Sequence, residues 1–158
     1  MEENSKDSAA VRIPPPVLFF VCLGSGLLLE FFIPTHLISL SPIPRVVVGC
    51  IFILISIYFA GSAFFVLIKN KTNFNPAKST TKIVTDGAYR FSRNPLYLSL
   101  LLLLSGIAVL RLSLWLFSAI PILYLLLLFK AVKPEESYLS QKFGEEYLNY
   151  SAKVRRWI

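Results

Sequence analysis

The chain has 158 residues, of which 55% are hydrophobic and 16% are charged, and its mean hydropathy is +0.64. This composition is too apolar for a soluble domain of this length and predicts an all-α, polytopic membrane helix bundle. The formal net charge of +7 does not indicate nucleic-acid binding, because the basic residues lie in loops beside apolar segments, where anionic lipid headgroups account for them.

The N-terminal part predicts a tail and two membrane crossings. Residues 1–16 are polar and end in consecutive prolines, which favours a flexible tail, and the acidic start without a cleavage site argues against a signal peptide. The apolar segments of about Val17–Ile33 and Val46–Ile68 predict two transmembrane helices within residues 17–68. The loop between them contains the single histidine, His36, which cannot form a metal site alone.

Polar and small residues inside these two helices predict how they pack. Glu30 lies near the far end of the first helix, where its carboxylate either reaches the membrane interface or has a role inside the bundle. In the second helix, small residues recur on one helical face: Gly49, Ser56, Ala60 and Ala63. A face of small side chains allows another helix to approach closely.

Residues 69–95 form a hydrophilic connection that is long for a loop and therefore plausibly functional. Asp86 and Gly87 predict a turn, because glycine adopts positive φ without steric cost. Asn94 and Pro95 predict a helix start, since asparagine can cap a helix and proline suits its first turn. The loop therefore ends where the chain enters the membrane again.

The next apolar stretch, Leu96–Val132, is too long to cross a bilayer core once. It predicts a helical hairpin that turns near Arg111–Ser113, which brings the total to about four transmembrane helices. Pro121 is expected to kink the second helix of this hairpin. We group the loop, the hairpin and the tail into one catalytic region, residues 69–158.

The tail, Lys130–Ile158, predicts an amphipathic helix. Pro134 can occupy its first turn, with Glu135 and Glu136 near the positive end of the helix dipole. An apolar stripe recurs at offsets of 4, 4 and 3 through Leu139, Phe143, Tyr147 and Tyr150. We expect this helix to lie on the membrane surface and to fold back towards the hydrophilic loop.

The distribution of basic residues predicts the orientation in the membrane. All but two of the 16 lysines and arginines fall on one side of a four-helix topology, and the exceptions are Arg45 and Arg111. By the positive-inside rule, both termini and the arginine-rich loop are cytoplasmic. The small size suggests a prokaryotic inner-membrane protein, or an endoplasmic reticulum protein if the source is eukaryotic.

Polar and aromatic residues are predicted to converge on the cytoplasmic face. They are Tyr89, Arg90, Arg93, Asn94 and Tyr97 in the loop, Glu135 and Glu136 in the tail, and the aromatic stripe. Carboxylates suit an ammonium or a ribose diol, arginine suits a carboxylate, and aromatic rings suit an adenine or a sulfonium. A cationic, amino-acid-bearing nucleotide would use all of them. The same residues also fit simpler roles, as complements of a helix dipole and as topology signals.

Familiar catalytic motifs are missing from the sequence. It has no glycine-rich dinucleotide or phosphate loop, no H-E-x-x-H, no C-x-x-C and no G-x-S-x-G. Cys22 and Cys50 lie inside apolar runs and are expected to be buried small hydrophobes. We therefore predict no metal site.

Two stretches of the chain resemble the membrane methyltransferases related to isoprenylcysteine carboxyl methyltransferase, a group that includes the phospholipid N-methyltransferases. The first is Asn75–Tyr97, which ends in G-A-Y-R-F-S-R-N-P-L-Y, and the second is Pro134–Trp157, which begins P-E-E-S-Y-L-S-Q-K-F-G-E-E-Y. A hairpin of two apolar segments separates them, as in the family. The resemblance covers about residues 70–158, and the order and spacing of its pieces are more specific than any one piece.

The resemblance implies an S-adenosylmethionine pocket between the last hairpin and the C-terminal helix, with a lateral opening for a lipophilic or lipid-modified acceptor. Arg93, Asn94 and Tyr97 correspond to the first cofactor segment, and Glu135 and Glu136 to the second. Tyr89 joins them as an aromatic cofactor contact. The position of Asn94 is often histidine in the eukaryotic enzymes, and asparagine cannot titrate, which puts a proton-transfer role there in doubt.

The implied reaction is an SN2 transfer of a methyl group to oxygen or nitrogen, with Arg93 and Glu136 as the catalytic candidates. A carboxylate acceptor needs no general base, and Arg93 would orient it through paired hydrogen bonds. An amine acceptor must lose a proton, for which Glu136 or a tyrosine would be the acceptor. The lack of histidine on this face favours a carboxylate, with a phospholipid amine as the alternative.

Two other classes of protein fit parts of the pattern. Sterol reductases have similar C-terminal regions and bind NADPH, but they are longer and contain additional membrane helices. A small bundle that binds lipid or a partner, without catalysis, is the non-enzymatic alternative. Cofactor binding separates the methyltransferase from both.

Overall fold

The computed structural model describes residues 11, 13–35, 41–72 and 80–158, so most of the expected tail and His36 lie outside the described residues. The described residues form a series of helices and helical turns. They are α1 (Pro15–Phe32), α2 (Pro42–Lys69), a 3-10 turn (Gly87–Arg90), α3 (Pro95–Arg111), α4 (Leu114–Leu127), a π-helical turn (Leu128–Val132), α5 (Lys133–Phe143) and α6 (Glu145–Lys153).

Among the described residues, three helical stretches are long and apolar enough to cross a membrane: α1, α2 and the run Leu114–Phe143. The 17-residue α3 is a shorter apolar helix. The hairpin turns where the sequence predicts, because Leu112 adopts a left-handed conformation with φ of 52° between α3 and α4. The prediction of an all-α membrane helix bundle is confirmed.

The face of small residues on α2 packs against α3. A Cβ atom built on Gly106 would lie 3.0 Å from the backbone oxygen of Gly49, so the two backbones touch at this crossing. Further along, the Ser56 hydroxyl donates to the backbone oxygen of Ser99 at 2.7 Å, and Ala63 is fully buried. The small side chains therefore set the distance between α2 and α3.

The helical run through α4 and α5 corrects the prediction that a helix starts at Pro134. The backbone stays helical from Leu114 to Phe143, and the π-helical turn joins the two α-helices without a break. The backbone N–H of Lys133 donates to the oxygen of Leu128, five residues earlier. Glu135 therefore lies inside a longer helix, where no free helix N-terminus exists for it to stabilise.

The amphipathic tail forms two helices where one was expected. Gly144 interrupts it with φ of 52° and ψ of −124°, a backbone conformation that favours glycine. The turn lets α6 fold back against the loop before α3, where Tyr147 is buried and the Tyr150 hydroxyl donates to the backbone oxygen of Tyr89 at 2.7 Å. The predicted return of the tail to the loop is confirmed.

An ion pair lies at the end of α3 that is remote from this loop. Arg111 donates to both carboxylate oxygens of Glu30 on α1, at 2.9 and 3.0 Å, and only 9% of Glu30 is exposed. Of the two interpretations of Glu30, this contact supports the role inside the bundle. Cys22 is buried as expected, whereas Cys50 is exposed on α2, so its expected burial is wrong.

Candidate functional site

A cleft opens where the loop before α3, the start of α3 and the tail helices meet. Its described lining combines apolar, aromatic and polar side chains: Leu67, Thr72, Thr80, Lys82, Ile83, Val84, Tyr89, Arg93, Asn94, Pro95, Leu96, Tyr97, Glu135, Leu139, Tyr147 and Tyr150. Five of the six predicted site residues therefore line one cleft, and the exception is Glu136. Arg90 lies apart from it, in an exposed pair with Asp86.

The loop that carries the site is fixed against α2 by a tight turn. Gly87 has φ of 58°, and a Cβ atom there would meet Ser62 and Val66 at 2.8 Å. The next N–H, that of Ala88, donates to the Ser62 hydroxyl at 3.0 Å. Glycine is therefore needed both for the conformation and for the close approach.

Asn94 precedes α3 at the cap position, but its side chain does not cap the helix. Its amide nitrogen Nδ2 donates to the backbone oxygen of Arg156 at 3.0 Å, and its backbone N–H donates to the hydroxyl of Ser92 at 3.1 Å. Asn94 is 7% exposed and Ser92 is fully buried. Asn94 thus ties the start of α3 to the C-terminal segment.

The Arg93 guanidinium has partners for two of its nitrogens and none for the third among the described residues. Its NH1 donates to the Tyr147 hydroxyl at 3.3 Å, and its NH2 lies 3.3 Å from Glu136. Its Nε is buried and has no acceptor among the described residues. Because a buried unsatisfied donor costs roughly 1–3 kcal/mol, an acceptor group on a ligand in the cleft would be favoured.

Glu136 is held between two arginines. Arg156 donates to its carboxylate from both Nε and NH2, at 3.0 and 2.7 Å, whereas Arg93 makes the single longer contact. The hydrogen bonds to Glu136 raise the pKa of Arg156. With both oxygens engaged, Glu136 is poorly placed to accept a proton from a substrate.

Glu135 is the carboxylate that lines the cleft. The buried Tyr97 hydroxyl donates to its Oε2 at 2.7 Å. Among the described residues, no cation forms an ion pair with Glu135. Its second oxygen, Oε1, is therefore available to a donor group on a ligand in the cleft.

Three tyrosines form an aromatic wall whose hydroxyl groups stay neutral. Burial, followed by the charge of Glu136, raises the pKa of Tyr147 to about 12. Burial also raises the pKa of Tyr89 and of Tyr150. At neutral pH these side chains donate hydrogen bonds and offer ring faces, and they are unsuited to act as bases.

Arg156 and Ser92 were not predicted as site residues. Both make contacts with residues that are distant in the sequence. The Ser92 hydroxyl donates to the backbone oxygen of Arg156, 64 positions away. The Arg156 guanidinium donates to the carboxylate of Glu136, 20 positions away. The clue in the sequence is the pair Arg155 and Arg156 beside Trp157 at the end of the second stretch of the resemblance. Spacing alone does not reveal which of the two arginines turns inward.

Comparison with known proteins identifies the family. The model of the family described as phospholipid methyltransferase matches residues 44–146, which include the loop, the hairpin and both glutamates. The chain belongs to the phospholipid methyltransferase family. This is a family of membrane methyltransferases, so the suspected relationship is confirmed.

One protein that is similar to this chain is an uncharacterized protein of Haemophilus influenzae. The two are 41% identical over 68 residues, which represent 40% of this chain and the whole of the relative. No solved structure matches the chain. The membership of this chain in the phospholipid methyltransferase family therefore rests on the family match.

Proposed function

We propose that this protein transfers a methyl group from S-adenosylmethionine to a lipophilic acceptor at the membrane. The observation that carries the proposal is the convergence, in a member of a methyltransferase family, of an arginine, a carboxylate and an aromatic wall on one cleft. When bound, S-adenosylmethionine would supply an electrophilic methyl group on a sulfonium. The NADPH-dependent and non-catalytic alternatives have no comparable support from the family match.

The chemistry of the cleft fits this cofactor. Glu135 offers negative charge to an ammonium or to a ribose diol, and Tyr97 holds that carboxylate in place at 2.7 Å. The free Nε of Arg93 suits a carboxylate. The rings of Tyr89 and Tyr147 suit an adenine or a sulfonium. We assign these residues and Asn94 to cofactor binding, and we keep Glu136 in the site as the partner of Arg93.

We propose a carboxylate on a lipophilic molecule as the methyl acceptor. A carboxylate is already deprotonated at neutral pH, so the protein needs only to orient it and to exclude water. Apolar side chains of Leu67, Val84 and Leu96 line the cleft beside Arg93 and would receive the lipophilic part. Arg93 would orient the acceptor carboxylate, and no base is required of the neutral tyrosines.

A phospholipid amine is the second candidate, and the description of the matching family favours it. An amine must lose a proton before or during methyl transfer. Among the acidic residues predicted for the site, Glu135 lines the cleft and Glu136 does not, so Glu135 would be the proton acceptor in this reaction. Glu135 would therefore take the proton-acceptor role that the sequence suggested for Glu136.

The stability of the methylated product to base separates the two acceptors. The protein would be incubated in nanodiscs with methyl-tritiated S-adenosylmethionine and either a farnesylated N-acetylcysteine or phosphatidylethanolamine. An ester releases tritiated methanol in alkali, whereas an N-methyl group does not. Label released by alkali from the prenylcysteine supports a carboxylate acceptor. Alkali-stable label on phosphatidylethanolamine supports the amine, and no transfer to either by the folded protein would contradict both acceptor proposals.

We also propose that the cleft and both termini lie on the cytoplasmic side of the membrane. Accessibility of single cysteines to a membrane-impermeant maleimide in intact cells and in inverted vesicles would test it. Such cysteines would replace Arg90 near the cleft and Ile33 near the opposite end, on a background without Cys22 and Cys50.

A further inference from the structure

The C-terminal segment forms part of the wall behind the cleft. The backbone oxygen of Arg155 accepts from the N–H of Arg93 at 3.0 Å, and that of Arg156 accepts from Nδ2 of Asn94 at 3.0 Å. The next residue, Trp157, packs its ring 5.3 Å from that of Tyr124 on α4. This anchoring places the Arg156 guanidinium against the site.

Glu136 is shared unequally between Arg93 and Arg156. Arg156 makes a two-pronged contact with distances of 2.7, 3.0 and 3.1 Å, whereas Arg93 makes one contact at 3.3 Å. Two guanidiniums and one carboxylate leave an excess positive charge in this cluster. Arg93 lines the cleft, so this cluster places positive charge at the cleft wall, and the buried Nε of Arg93 has no acceptor among the described residues.

We propose that Arg156 is a positioning residue that keeps Arg93 available for a carboxylate in the cleft. The proposal rests on the proposed function, because the carboxylate belongs either to the cofactor or to the acceptor. Without the Arg156 guanidinium, Glu136 would form the two-pronged pair with Arg93 and occupy its donors. Arg156 thus acts on the ligand through Glu136 and Arg93, and it does not touch the ligand.

Replacing Arg156 and then neutralising Glu136 tests this role. In Arg156→Gln, we expect S-adenosylhomocysteine, or an acceptor that supplies the carboxylate, to bind about tenfold more weakly, with little change in kcat. In the double variant Arg156→Gln/Glu136→Gln, residue 136 no longer carries the charge that would pair with Arg93. The affinity for the same ligand should therefore return to within about threefold of wild type. Arg155→Gln removes a neighbouring exposed side chain of the same charge and should change neither.

A merely structural role for Arg156 predicts the opposite response to the second substitution. If Arg156 only anchored the C-terminal segment, removal of Glu136 would delete a further contact and would not restore affinity. The backbone oxygen of Arg156 that accepts from Asn94 is retained in both variants. Rescue of ligand affinity therefore separates the two roles without relying on the single variant alone.

The source of the carboxylate is identified with 5′-methylthioadenosine, which lacks the amino-acid end of the cofactor. Weaker binding of S-adenosylhomocysteine with unchanged binding of methylthioadenosine assigns the carboxylate to the cofactor. Unchanged binding of both, with a higher acceptor KM that the double variant reverses, assigns it to the acceptor. An absence of rescue, or no effect of Arg156→Gln on any ligand, overturns the positioning role. Failure of the wild type to bind either nucleoside overturns the proposed function as well, so the two failures are distinguishable.

Discussion

An arginine contacts a glutamate at both ends of α3, but the two guanidiniums are engaged differently. At the remote end, Arg111 forms a two-pronged contact with both carboxylate oxygens of Glu30. At the cleft end, Glu136 is shared by Arg93 and Arg156, and Arg93 keeps a buried donor that has no acceptor among the described residues. Arg111 is thus held by a two-pronged contact, whereas Arg93 has a single contact with Glu136 and one donor left over.

This comparison shows how a structural ion pair differs from a binding site in a small membrane bundle. A buried carboxylate needs a cation, and Arg111 supplies one to Glu30. Near the cleft, no described cation forms an ion pair with Glu135. The buried Nε of Arg93 has no hydrogen-bond acceptor among the described residues. We therefore expect substitutions at the cleft end to change ligand affinity and substitutions at the remote end to change stability.

The largest effect on ligand affinity is expected for Arg93→Ala. Removing the charge that faces the ligand should weaken S-adenosylhomocysteine binding at least about 30-fold, while Glu136 stays paired with Arg156. Isothermal titration in detergent measures this. Arg90→Ala is the matched control, because that arginine is exposed and pairs only with the exposed Asp86. Equal losses in both variants would mean that general loop charge, and no specific contact, governs affinity.

A smaller loss of affinity is expected for Glu135→Gln. The substitution keeps the shape and an acceptor for Tyr97 but removes the negative charge that faces the cleft, so S-adenosylhomocysteine should bind about tenfold more weakly. The same titration measures it, with Glu146→Gln on the exposed face of α6 as the control. Unchanged affinity in Glu135→Gln would remove this carboxylate from the cofactor contacts.

At the remote end, Arg111→Gln should lower the free energy of unfolding by about 2–3 kcal/mol, because the buried Glu30 loses its two-pronged contact with the Arg111 guanidinium. Unfolding by titration with sodium dodecyl sulfate in mixed micelles measures this change. Cofactor affinity of the folded variant should stay at the wild-type value. A loss of affinity at full stability would show that the two ends of α3 are coupled.

A smaller effect on stability is expected at the helix crossing. In Gly106→Ala, the added methyl group would lie 2.8 Å from the side chain of Ile53 and 3.0 Å from the backbone oxygen of Gly49, which should cost about 1–2 kcal/mol of stability. Gly61→Ala on α2 is the control, since a Cβ atom there has nothing within 4 Å. Equal stability of both variants would show that the α2–α3 contact is looser than described.

The sequence predicted the helices well where local patterns decide them. The turn near Arg111–Ser113 followed from the length of the apolar stretch, and α3 begins at Pro95 as expected. The helix start at Pro134 was wrong because proline also tolerates a position after a π-helical turn, where a hydrogen bond spans five residues. Local residue preferences do not distinguish a new helix from such a continuation.

The candidate site was predicted less completely because its ion pairs join distant parts of the chain. The resemblance identified Arg93 and the adjacent glutamates, but the direction in which each glutamate points depends on its phase in the run from Leu114 to Phe143. The partnership of Glu136 with Arg156 depends on the fold of the C-terminal segment. Neither follows from composition or spacing.

The most direct test of a cofactor site in this cleft is a titration of S-adenosylhomocysteine into the purified wild type and the double variant Arg93→Ala/Glu135→Gln. We expect saturable binding by the wild type and its loss in the double variant, with circular dichroism showing that both are folded. No binding by the folded wild type at millimolar ligand, or equal binding by both proteins, would contradict a cofactor site in this cleft.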